Sequence, residues 1–160
     1  MVDGWPECIN ITIDGDPISK GRPRVYHGHG VTPEQTRRAE KRVSDEFRRQ
    51  YPFWQPYPGP IRISLTFWLA NRRGRDWDNL AKLTTDALNG IAWVDDRQII
   101  HADVHKIQPD LWVIGKRGIR KRKPDDPLTG YGYTYTPHTD LTIALEQEYK
   151  PTGTTEEAVA

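Results

Sequence analysis

IRISLTFWLANRRGRDWDNLAKLTTDALNGIAWVDDRQI, residues 61–99, decides the architecture. Its opening alternates: Ile61, Ile63, Leu65, Phe67 and Leu69 share one face, and Arg62, Ser64, Thr66 and Trp68 the other. A period of two with one apolar face marks a half-buried strand. Asn71–Arg75 is a basic loop that delivers the chain to Asp76. The period then becomes helical from about Asn79 to Asn89, with Leu80, Leu83, Ala87 and Leu88 as the apolar stripe. Asp78 suits the cap at its start and Gly90 the stop at its end. After the apolar Ile91–Val94, Asp95 and Asp96 lead into a further strand, Gln98–Ile107.

Outward from this centre the pattern continues. Ile9, Ile11 and Ile13 alternate in a first strand, and Asp14-Gly15-Asp16-Pro17 is a turn. Lys20–Tyr26 reads as a short extended segment and His27–Gly30 as a turn. A helix is expected after Thr32, with Thr32 as cap, Pro33 in the first helical position, and Ala39, Val43 and Phe47 on one side. It ends before Pro52, because Pro52–Pro60 holds four prolines. Leu111–Ile114 continues the preceding strand or forms a hairpin arm. Residues 115–138 read as a long basic and aromatic loop, and Asp140–Glu146 as a last strand. The order β, α, β, α, β, β predicts an α/β (α+β) fold, a mixed β-sheet with packed helices. One domain is expected over residues 1–149, with a disordered tail at 150–160.

Composition narrows the chemistry. A chain of 160 residues can bury roughly 68–70% of its unfolded surface, enough for a core without disulfide or metal. The one cysteine, Cys8, makes no internal disulfide, and no zinc-ligand spacing exists. No charged-then-apolar leader and no long apolar run is present, so a cytoplasmic protein that crosses no membrane is expected. The net charge is only +1, but cations cluster at Lys20–Arg24, Arg37–Arg49, Arg72–Arg75 and Lys116–Lys123. Basic segments around an acidic centre suit a polyanion held over a metal site.

The acidic centre consists of Asp76, Asp78 and the pair Asp95–Asp96. Carboxylates without cysteine or spaced histidines favour Mg²⁺, with Mn²⁺ as a substitute. In extended backbone Asp76 and Asp78 share a side. Lys82 lies four residues after Asp78, on the same helix face one turn on. Asp95 and Asp96 point opposite ways if extended, so one of them reaches the metal. A plain cap would explain Asp78 alone, and a surface ion pair Lys82 alone. Together the groups describe a site that activates water and neutralises charge on a phosphate.

RDWDNLAKLTTDALNG followed by WVDDRQI closely resembles the signature of the RusA family of Holliday junction resolvases, over about Arg75–Ile99. The pattern is Asp-x-Asp-Asn, a lysine four after the second aspartate, an Asp-Ala segment, and Trp-x-Asp-Asp before a strand. Lys106 resembles a lysine of that strand, and KGRPR at Lys20–Arg24 is similar to phage members. The resemblance implies a Mg²⁺-dependent homodimeric endonuclease that nicks opposing strands of a four-way DNA junction, in recombination and repair. It implies Asp76, Asp78 and Asp96 as metal-binding acids, with Asp95 as the alternative to Asp96, and Lys82 as the catalytic lysine. Charge alone nominates Lys20, Arg22, Arg24, Arg72, Arg73 and Arg75 as DNA contacts.

Other readings are weaker. An EF-hand loop fails, with Ala81 at its sixth position and Ala87 at its twelfth. A DxD sugar-nucleotide transferase lacks a phosphate-binding glycine loop. A DNA-binding protein without catalysis has no use for acids that repel DNA. His27 and His29 are turn residues before they are ligands, and His101, Asp103 and His105 share a half-exposed strand face. Tyr131, Tyr133 and Tyr135 alternate, as a base-stacking set or, preferably, a hairpin. Trp93 is assigned to the core.

Overall fold

The computed structural model describes residues 1–22 and 24–153, with the side chain of Arg24 outside the description. Part of the tail expected to be disordered, 154–160, lies outside the described residues. The alternating segments form the central sheet. Strands β1 (Cys8–Asp14), β4 (Ile61–Trp68), β5 (Ile99–Ile107) and β10 (His138–Leu145) lie in the order β1-β10-β4-β5. β10 pairs antiparallel with both β1 and β4, whereas β4 and β5 run parallel. The sheet is therefore mixed, as expected.

One face of this sheet builds the core. Ile9, Ile11, Ile13, Ile61, Ile63, Leu65, Phe67, Leu141, Ile143 and Leu145 are all buried. Helices α1 (Glu34–Gln50) and α2 (Trp77–Leu88) supply the other half, through Ala39, Val43 and Phe47 and through Leu80, Leu83, Ala87 and Leu88. The opposite face carries polar side chains, where Thr12 donates to Asp140 at 3.0 Å and the indole of Trp68 to the same carboxylate at 3.0 Å.

Two capping expectations shift by a residue or two. The cap of α1 is Pro33, with φ −55° and ψ 143°, instead of Thr32. Its extended ψ keeps Pro33 out of the helix, and the nearby Thr36 hydroxyl accepts from the Gly21 amide at 3.0 Å. Helix α2 starts at Trp77 with Asp76 as cap, so Asp78 lies in its first turn. Leu80 N–H donates to Asp76 C=O at 3.0 Å, the first bond of the helix. Asp76 and Asp78 thus do not sit together in extended backbone. Gly90 follows α2 with φ +76°, a left-handed stop that favours glycine.

The remaining strands are hairpins. Arg24–Tyr26 (β2) pairs with His29–Val31 (β3) across His27 and Gly28, whose φ values of 47° and 78° make the turn. The expected loop at 115–138 is a correction: it contains two ribbons. Trp112–Gly115 (β6) pairs with Gly118–Lys121 (β7), and Thr129–Gly130 (β8) with Tyr133–Thr134 (β9). Tyr131 and Gly132, at φ 50° and 82°, close the second, so the alternating tyrosines belong to a hairpin. Tyr131 and Tyr133 are exposed, while Tyr135 packs 5.2 Å from Trp68 and its hydroxyl donates to Leu69 C=O at 2.5 Å.

Asp126 ties down the first ribbon. It accepts from both terminal nitrogens of Arg120 at 2.7 and 2.8 Å and from the Lys123 amide at 2.7 Å. The Arg120 bond first, and the Lys123 amide second, hold the Asp126 carboxyl far below the usual carboxylate range. A depressed folded value stabilises above the unfolded pKa, about 3.9, and that stabilisation is lost as pH falls through the folded value. Amide exchange in Trp112–Lys121 is therefore expected to accelerate selectively below about pH 4. Asp126→Asn should exchange fast already at pH 7, with little further change on acidification.

Candidate active site at the start of helix α2

The parallel pair β4 and β5 ends on one side of the sheet, where the Leu69 amide donates to Ile107 C=O at 2.9 Å. The loop from Leu69 to Asp76 is held there from two directions. Asp16 accepts from the Ala70 amide at 2.9 Å and from the Arg75 guanidinium at 2.8 Å. Arg75 also donates to Pro17 C=O at 2.8 Å and to the Asn71 side chain at 2.9 Å. From β5, the Lys106 ammonium donates to Arg75 C=O at 2.7 Å, one residue before Asp76. The backbone that presents Asp76 is thus fixed by long-range contacts. The DGDP turn hid Asp16's role, because a local turn motif carries no sign of a partner 59 residues away.

Asp76 and Asp78 are both exposed at the N-terminus of α2. The Asn79 side chain donates to Asp76 at 3.4 Å, and the Asn79 amide to Asp78 at 2.9 Å. Neither acid has an ion-pair partner among the described residues. Anionic groups at this end are favoured by the helix dipole. Lys82 follows on the face of Asp78, exposed and without a side-chain partner among the described residues.

Asp86 occupies the next position on that face, two turns or about 12 Å beyond Asp78. It takes an ion pair from Lys20, which also lies 3.5 Å from Glu40 of α1. Burial alone would lower the Lys20 ammonium, but the bond and charge of Asp86 and the charge of Glu40 outweigh it and raise its pKa. Lys20 therefore joins three segments of the fold, and its charge is already answered. Arg72 and Arg75 are likewise engaged, Arg72 donating to Pro109 C=O at 2.8 Å. Of the six cations nominated for DNA, Arg22 and Arg73 are exposed without side-chain partners among the described residues, and Arg24's side chain lies outside them.

The pair Asp95–Asp96 divides sharply. Asp95 caps a 3-10 turn, Asp96–Gln98, and accepts from the Arg97 amide at 2.9 Å and its guanidinium at 3.1 Å. The backbone bond first, and the side-chain bond second, lower its pKa. Asp96 turns inward and accepts from the buried Trp93 indole at 2.7 Å. Burial pushes its carboxyl up, the Trp93 bond opposes this, the charges of Asp86 and Asp95 raise it, and Lys82 lowers it. Asp96 therefore lies within electrostatic reach of Asp86 and Lys82 on α2.

The expected convergence of three acids does not form within the chain: among the described residues no three metal-ligating side chains cluster. The charges of α2 that act on Asp96 are Lys82 and Asp86, one and two turns beyond Asp78. The donors nonetheless fit Mg²⁺, which binds through one or two carboxylates while keeping waters and substrate phosphates. Asp76 and Asp78 supply such a pair of unpaired, exposed hard oxygens. Of His101, Asp103 and His105, the first two meet at 3.1 Å on exposed β5. No helix among the described residues is long and apolar enough to cross a membrane.

Comparison with known proteins places the chain in a family. The model of the family described as Endodeoxyribonuclease RusA matches residues 14–112, which contain Asp76, Asp78, Lys82 and Asp96. No curated protein matches the chain. Spanning more than half of the sequence and the whole acidic region, the match establishes that the chain belongs to the RusA family of endodeoxyribonucleases, enzymes that act on DNA.

Proposed function

We propose that the protein is a Mg²⁺-dependent junction resolvase that makes paired nicks in opposing strands of four-way DNA, in recombination and repair. The observation that carries the reading is the exposed Asp76–Asp78 pair, with Lys82 one turn further on. An open surface of this kind suits a polymer, where a transferase for small donors needs a concave pocket. Mn²⁺ serves in place of Mg²⁺, since both are hard cations.

Asp76 and Asp78 would hold the metal, and Asp96 is the third acid of the site. When bound, the ion supplies a water of lowered pKa and a counter-charge for the phosphate. The dipole of α2 favours the two carboxylates at its N-terminus, and their repulsion of the phosphate is answered only by a cation between them. Lys82 places a proton donor and positive charge against developing negative charge on a phosphate or leaving oxygen. Arg22 and Arg73 contact the flanking backbone, and Arg24 belongs to the same basic run. A homodimer supplies one site per cut strand. The unpaired edge of β5, with Ile100 59% exposed, supports a place for the second copy.

The direct test incubates the protein with a synthetic four-way junction and with linear duplex of the same arms, with and without Mg²⁺. Paired nicks in the junction alone, and only with Mg²⁺, are expected. Metal-independent or indiscriminate cutting would overturn the assignment. The two neighbouring acids separate in the same assay. Asp96→Asn should lower cleavage by roughly 10²–10³-fold, the scale for losing one charge-stabilising group. Asp95→Asn should stay within a few-fold, because Asp95 serves Arg97 and its local turn. Equal losses would mean that the pair acts through the fold of the turn.

A further inference from the structure

The ribbon β6–β7 lies at and beyond the end of the family match at residue 112, and its faces differ. Val113 and Arg120 form one cross-strand pair, with Arg120 bound to Asp126. The other face consists of Trp112 and Lys121 opposite one another and Ile114 opposite Ile119. No described residue covers it: Trp112 is 55% exposed, Ile114 89% and Ile119 77%. The Lys121 ammonium stands 5.9 Å from the Trp112 ring centre. Lys116 and Arg117 form the tip, exposed and without ion-pair partners among the described residues. Isoleucines near 80–90% exposure at the end of a narrow ribbon, ringed by free cations, are costly in water unless a partner uses them.

Placement identifies the partner. The ribbon leaves the sheet just after β5, at the end where β4 feeds the Asp76 loop. Its base touches that loop, since Arg72 donates to Pro109 C=O at 2.8 Å. An apolar pair two side chains wide is too small for a stable protein interface. It matches the wedges that enter between base steps while neighbouring cations hold phosphates.

Resting on the junction reading above, we propose that the ribbon is a branch-point wedge: Ile114 and Ile119 enter between unstacked base pairs of branched DNA, Trp112 stacks beside them, and Lys116 and Arg117 hold the adjoining phosphates. The wedge selects branched over linear DNA, because bases at a branch are already partly unstacked and cost less to part.

The test uses full-length protein in EDTA, with 2-aminopurine at the branch point of a four-way junction. The wild type should raise 2-aminopurine fluorescence and prefer the junction to linear duplex. Ile114→Ser/Ile119→Ser should keep duplex affinity within about twofold, lose about tenfold for the junction, the scale of one base–side-chain contact, and abolish the fluorescence rise. Lys116→Ala/Arg117→Ala should weaken both DNAs alike and lower the salt slope by about two. Unchanged junction affinity and fluorescence in the serine variant would overturn the wedge. Dissociation of a wild-type dimer on the same substitution, seen by sedimentation, would overturn it too, by assigning the face to a second copy. Failure of the wild type to cut junctions with Mg²⁺ is a separate result that removes the parent reading.

Discussion

Asp78→Asn is expected to abolish junction cleavage while leaving junction binding and folding intact. Asparagine has nearly the shape of aspartate and keeps an oxygen for the Asn79 amide, which now lies 2.9 Å from the carboxylate. The residue is exposed, so stability should move by less than about 0.5 kcal/mol. The change removes one anionic ligand from the pair at the start of α2 and one hard oxygen from any Mg²⁺ held there. Loss of roughly 10²–10³-fold in single-turnover cleavage is the expected minimum. Binding measured without metal should hold or tighten, because a negative charge facing phosphate has gone. Lys82→Ala complements it: an exposed lysine without a side-chain partner among the described residues has little to lose structurally, so a large fall in cleavage would report chemistry. Mg²⁺-dependent cleavage by Asp78→Asn at the wild-type rate would sink the site.

The parts of the fold carried by periodicity were legible. Ile61–Trp68 and the final strand show their buried face as strict alternation, and Leu80, Leu83, Ala87 and Leu88 show the stripe of α2. Positions settled by distant partners were not. In Asp76-Trp77-Asp78-Asn79 either aspartate makes a credible cap. The choice of Asp76 follows the Arg75 peptide, fixed by Lys106 from β5 and by Asp16 from the turn after β1. Lys20 looked like a phosphate contact because a sequence shows its charge and not the carboxylates of Asp86 and Glu40 that answer it. The ribbons at 112–134 were hidden by their lysines and arginines, although Lys116-Arg117-Gly118 and Tyr131-Gly132 carry glycine-assisted turns. Among the acids, the residue types and order identified the family, but which charges of α2 act on Asp96 required the fold.

Trp93 joins that fold to the acids, and its substitutions should separate the two functions. The ring is fully buried. Its backbone closes the return after α2, with the Gly90 amide donating to Trp93 C=O at 2.8 Å and Val94 N–H donating to Tyr57 C=O at 3.3 Å. Trp93→Ala should cost about 3–5 kcal/mol through the cavity left behind. That is a large share of a typical stability of about 5–15 kcal/mol, and it should lower the melting temperature by roughly 10–15 °C. Trp93→Phe keeps most of the packing but removes the only hydrogen bond that the described residues donate to the Asp96 carboxylate. It should cost less, about 1 kcal/mol for a half-buried acceptor that loses its donor. Cleavage by Trp93→Phe, measured well below its melting temperature, should still fall about 10–100-fold, the usual effect of losing a group that orients an acid of a metal site. Mg²⁺ titration would show that loss as weaker metal binding, with the midpoint moved to higher concentration. If Trp93→Phe instead cuts at the wild-type rate with an unchanged Mg²⁺ midpoint, Trp93 is core alone, and Asp96 needs no indole to hold it in place.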